Sequence, residues 1–146
     1  MARAVSPPPG DAIGQVQAGV SLVAVAGVGV GAAFGAWFRW ALSDLLNPTH
    51  PHFPVGTWTA NLAGGLLIGM SLAWFARHPE LHPAWRLTAV TGFLGALTTF
   101  STFSIESLLL LQRGQFGWAI AHSAAHLFGS LGAAALGFRM ASLPGQ

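Results

Sequence analysis

Residues 92–104 read Gly92-Phe93-Leu94-Gly95-Ala96-Leu97-Thr98-Thr99-Phe100-Ser101-Thr102-Phe103-Ser104. From Thr98 to Ser104, five hydroxyls and two Phe fall within seven residues. Hydroxyls and glycines are poor choices for a straight helix facing lipid. They suit a helix that unwinds where its freed carbonyls meet a ligand. Broken helices of that kind hold small cations near the membrane midplane. The plainer alternative has the Ser and Thr side chains bonding back to their own helix with the Phe pair against lipid. The density of the cluster argues against it.

Outward from this stretch, the chain is apolar in both directions. A helix needs about 20 mostly apolar residues to cross the hydrocarbon core. Four windows qualify: about Ala18 to Leu45, about Val55 to Phe75, from Pro83 or Arg86 to about Leu111, and about Gln115 to Phe138 with Arg139 at its edge. The chain has 146 residues, 53% hydrophobic and only 7% charged, against about 25% charged in a soluble domain. Its mean hydropathy of +0.58 agrees. The fold class expected is therefore an all-α membrane protein of four transmembrane helices, with the third broken at its centre. Residues 1–17 read as a flexible tail, 18–139 as the transmembrane domain and 140–146 as a C-terminal tail.

The pI of about 11.3 does not point to nucleic acid. It rests on six Arg against four acids, with no basic cluster to follow a phosphate backbone. Zero Cys excludes disulfides, Fe–S clusters and thiolate metal sites. No nucleophile elbow, phosphate loop or carboxylate pair appears, so the chain does not read as an enzyme. Short connectors make neighbouring spans antiparallel and place both termini on one side. Arg3, Arg77, Arg86 and Arg139 fall on that side, and Arg39 and Arg113 on the other. Such a weak bias mildly favours cytoplasmic termini and suits insertion both ways round.

Within the spans, Gly27, Gly31 and Gly35, then Gly65 and Gly69, repeat small residues at four-residue steps that let backbones approach. Thr57 and Asn61 share one face of span two; the Asn61 amide either bonds a neighbouring helix or offers an N–H to a pore. Glu106 lies in span three, where an ionisable group is a candidate for function. Arg39 either snorkels or raises the same question. In span four Trp118, His122, His126, Ser130 and Ala134 align at four-residue steps. This reads as a polar stripe facing a helix or a wet groove. It does not read as a metal site, since no carboxylate accompanies the two His. His50, His52, His78 and His82 fall in connectors and are expected to be solvated.

The motif Gly92-x-x-Gly95-x-x-Thr98-Thr99-Phe100-Ser101-Thr102-Phe103, with Gly56-Thr57, Asn61, Gly64 and Gly69 in span two and Gly31, Gly35-Ala36 and Arg39 in span one, resembles the fluoride channel family (CrcB, also called Fluc). The resemblance covers about Gly27 to Gly137. It implies a passive fluoride-selective channel in the cell's inner (plasma) membrane that exports F⁻ and lowers its toxicity. It implies an antiparallel, dual-topology homodimer with two pores, whose partners are the fluoride ion, a second copy of the chain and membrane lipid. It further implies a structural Na⁺, not transported, held by the main-chain carbonyls of Gly95 and Thr98. The pore residues carried over are Phe100, Phe103, Asn61 and Thr57. Where the family usually offers Tyr and Ser in span four, this chain has His122, His126 and Ser130, which take the places of fluoride-binding residues. Gly65, Leu66 and Trp40 also depart from the common pattern. Two other classes compete: a small four-helix proton-coupled exporter of cations or drugs, and a membrane assembly subunit with no transport of its own. The first depends on an acid embedded in span one, which here has none before Asp44.

Overall fold

The computed structural model describes residues 21–143. The tail expected over 1–17 lies outside the described residues, as do 144–146. Among the described residues all regular structure is helical: α1 (Leu22–Leu46), a 3₁₀ turn (Asn47–Thr49), α2 (Val55–Arg77), α3 (Pro83–Arg86), a π-helical stretch (Leu87–Leu94), α4 (Gly95–Leu97), α5 (Phe100–Gln112) and α6 (Phe116–Ser142). Four units are long and apolar enough to cross a membrane, Leu22–Thr49, Val55–Arg77, Pro83–Gln112 and Phe116–Ser142. The protein is a multi-pass membrane protein. α6 continues to Ser142, so the first residues of the tail expected over 140–146 are helical. Arg139 lies inside that last turn.

Helix boundaries follow local chemistry. α1 ends where Pro48 follows Asn47, at a 3₁₀ turn closed by Thr49 Oγ1 donating to the Leu46 carbonyl. The Asn47 side chain then caps the next span from outside. Its Oδ1 accepts from Gly56 N at 2.8 Å and Thr57 N at 3.1 Å, two donors that the first turn of a helix leaves without partners. α5 turns into α6 at Gly114, whose φ of 70° is open to glycine and costly for other residues.

Glycines decide how the spans pack. A Cβ at Gly31 would strike the Thr88 carbonyl, and one at Gly35 the Phe93 carbonyl. α1 thus lies on the π-helical stretch, and the room its wider turns need is the room side chains at 31 and 35 would take. On the other side of the bundle, Gly69 faces the Ala134 carbonyl and Gly137 the Leu66 carbonyl, so α2 and α6 touch backbone to backbone. Gly65 meets Ser130 in the same seam. α5 leans on α6, and the polar side chains of α2, α5 and α6 converge between these helices.

Candidate functional site

Between α4 and α5 the backbone leaves the helical region. Thr98 has φ −83° and ψ 156°, and Thr99 φ −150° and ψ 118°. Asn61, one helix away, is matched to this segment like a peptide group: its Oδ1 accepts from Thr99 N at 2.7 Å and its Nδ2 donates to the Thr99 carbonyl at 3.0 Å. Thr99 caps α5 through Oγ1, which accepts from Thr102 N at 3.1 Å. These two bonds have a consequence. In a continuous helix the Thr99 and Thr102 N–H groups would serve the carbonyls of Gly95 and Thr98. Both donors go elsewhere, so those two carbonyls lack their helical partners. Hard oxygen ligands free of a donor fit a small alkali cation, and the residues present fit the Na⁺ that the family resemblance implies.

A cavity of about 550 Å³ opens at this segment, lined among others by Asn61, Thr98, Thr99, Phe100, Phe103, Ser123, His126 and Ser130. It unites residues from three spans. Phe100 and Phe103 lie 5.3 Å apart between ring centres. Phe103 is turned inward, stacked on His122 at 5.3 Å and 14° and tilted against His126 at 5.1 Å. Phe100 is 80% exposed on the surface of the single chain. Gly95 is not on the cavity wall, and Thr57 and His122 lie deeper.

Those two belong to a polar chain that begins outside the cavity. Asn47 Nδ2 donates to Thr57 Oγ1 at 3.2 Å, and Thr57 donates to Glu106 Oε1 at 2.6 Å. Glu106 Oε2 lies 3.4 Å from His122 Nε2, near enough for an ionic contact but not aligned as a hydrogen bond. His122 Nδ1 meets Ser107 Oγ at 3.0 Å. The sequence reading that no carboxylate accompanies the two His is corrected here: Glu106 does, because the turn of α5 past Phe103 carries position 106 onto the same face. That spacing was the available signal. Nothing in the sequence singled out Asn47 or Ser107. Phe53 also went unremarked; it stands against His122 and His126 at 5.8 and 6.4 Å.

The amide expected to face a pore is engaged in full. One Asn61 N–H serves the Thr99 carbonyl and the other reaches His126 Nδ1 at 3.1 Å. Thr99 holds the amide in one orientation, so Asn61 is the donor in that second contact. In a neutral ring the His126 proton then sits on Nε2. Nε2 is buried and has no acceptor. His126, not Asn61, therefore presents the unsatisfied N–H. Among the connector histidines, His52 is half-buried and stacks on Trp118 at 5.4 Å, while His82 is exposed, its Nδ1 accepting from Ala84 N. Arg39 forms no ion pair among the described residues.

A family profile described as "CrcB-like protein, Camphor Resistance (CrcB)" matches residues 26–138. The chain belongs to this family. It is 58% identical over 110 residues to a protein of Cupriavidus pinatubonensis named fluoride-specific ion channel FluC, covering 75% of this chain and 87% of that one. It is similar also to the FluC proteins of Aromatoleum aromaticum, at 54% over 121 residues (83% and 92% of the two chains), and Acinetobacter baumannii, at 53% over 104 residues (71% and 82%). CrcB membership accounts for a membrane chain without an enzyme's constellation.

Proposed function

We propose that this chain forms a passive, fluoride-selective channel of the plasma membrane. The observation that carries the reading is the cavity wall, where two Phe rings stand opposite uncharged hydrogen donors from α6, with the His126 Nε2–H buried and unanswered. Fluoride is small and tightly hydrated, so a pore has to replace its water with donors. Neutral N–H and O–H groups do this without holding the ion too firmly. The positive rims of the Phe rings add weak contacts, and weak contacts suit conduction because an ion must leave each site. Glu106 is not on the cavity wall, and Thr57 holds its Oε1, which keeps the acid away from an anion in the cavity.

The physiological use follows from acid–base chemistry. HF crosses membranes as a neutral acid and dissociates inside. A passive path lets the membrane potential drive F⁻ out, with no nucleotide required.

The functional unit in this reading is an antiparallel homodimer with two pores, bathed in lipid. Phe100, 80% exposed in one chain, is covered by a second copy. The third span acts as a broken helix, and the Gly95 and Thr98 carbonyls of both copies would hold a central Na⁺. That ion would supply positive charge that ties the four partial carbonyl charges together.

The test is fluoride efflux from liposomes holding the purified protein, driven by a fluoride gradient with no proton gradient. Efflux is expected. Impermeable vesicles would overturn the reading, and drug export that requires protons would favour the exporter.

A further inference from the structure

We infer that Glu106, His122 and His126 form a binding site for a divalent transition-metal ion of the zinc class, and that its occupation stops conduction. One donor atom from each residue lies within 4.8 Å of the other two. Two imidazoles and one carboxylate, with a fourth position open, form a familiar zinc ligand set. His122 is 0% and His126 5% exposed, and Glu106 Oε2 and both Nε2 atoms are buried without a hydrogen-bond partner. Orphaned polar atoms at such depth are costly, and two of them, Glu106 Oε2 and His122 Nε2, face each other at 3.4 Å.

The surroundings match what a metal needs. The remaining polar atom of two of the ligands is held from behind: Glu106 Oε1 by Thr57 and His122 Nδ1 by Ser107. Supports of that kind orient metal ligands. Tetrahedral zinc, with bonds of about 2.0–2.2 Å, sets its ligand atoms roughly 3.4 Å apart. Glu106 and His122 already stand at 3.4 Å, and a ring nitrogen of His126 lies within 4.8 Å of both. His126 is also the weaker ligand. Zinc at Nε2 moves the ring proton to Nδ1, where it opposes the Asn61 N–H and breaks that contact, so Glu106 and His122 carry most of the hold. Entry is through the 550 Å³ cavity, whose wall includes His126.

The block, though not the binding, rests on the anion path proposed above. A dication beside that path, with an open position, would hold a fluoride ion too firmly to release.

Zinc is measured by equilibrium dialysis on the purified full-length protein after chelator treatment, in the wild type, Glu106→Gln and His122→Ala. One ion per chain is expected in the wild type, weakened about tenfold or more in each variant. Glu106→Gln keeps an oxygen for Thr57, so a folding defect does not explain its loss. No zinc in the wild type overturns the site, and so does zinc retained in both variants, which would place the ion on the connector histidines. In liposomes zinc is expected to stop wild-type fluoride efflux and a chelator to restore it; undiminished efflux with zinc bound overturns the block. Efflux measured without zinc reports separately on the channel.

Discussion

At the residue scale, Asn61 governs two things. It holds the Thr98–Thr99 segment by pairing with both polar groups of Thr99, and it sets which nitrogen of His126 carries the proton. Asn61→Leu leaves the Thr99 N–H and carbonyl without partners, at roughly 1–3 kcal/mol for each buried group. The variant is expected to melt several degrees lower, checked by thermal denaturation in detergent. Asn61→Asp abolishes fluoride flux in liposomes, because a carboxylate then borders an anion path and cannot donate to His126. Full activity there would reduce Asn61 to a packing residue. Phe103→Ile and Phe100→Ile are each expected to lower flux by roughly five- to tenfold, about 1 kcal/mol of lost ring contact, while the proposed dimer would stay assembled on size exclusion. Unchanged flux in both would remove the rings from the path.

At the element scale, backbone contact between helices sets the geometry. Ala at Gly69 or Gly137 pushes a Cβ into a carbonyl of the facing helix, where nothing flexible can yield. Each is expected to destabilise the fold by about 1–3 kcal/mol. Gly117, with nothing within 4 Å of a Cβ, gains helix propensity as Ala, up to about 1 kcal/mol. Melting temperatures of the three variants decide the matter: a shared direction of shift would contradict the packing described. The seam also explains the stripe on α6. Ser130 faces Gly65 and Ala134 faces Gly69, so the lower part of the stripe packs against α2 while His122 and His126 reach Glu106 and Phe103.

At the scale of the whole molecule, only 17–22% of the most apolar window of each span is buried inside the chain. The rest is left for lipid or a second copy, and among the described residues no internal core of a soluble kind forms. In the function proposed, the Gly95 and Thr98 carbonyls would supply two oxygens per chain, too few for a cation alone. Two copies meeting at this segment would double the set. Replacing Na⁺ by a bulky organic cation throughout is therefore expected to weaken the dimer, seen as a shift toward monomer on size exclusion at low protein concentration. A dimer indifferent to Na⁺ would sever that link.

Four spans, their connectors and the hydroxyl-rich segment were legible because each is written in contiguous residues, where length, hydropathy and breaker chemistry act locally. Among the described residues the span ends agreed within a few residues except where α6 ran past Arg139, since a helix end in a membrane chain carries no sharp polar signal. The resemblance likewise rested on a linear motif. What the tertiary structure alone decided is the company each polar group keeps. Glu106 and His122 stand sixteen positions apart in the chain yet 3.4 Å apart in space, and Asn47 caps a helix it does not belong to. Such pairings depend on the rotation and depth of one helix against another, which glycine contacts set to within an ångström and which no periodicity encodes.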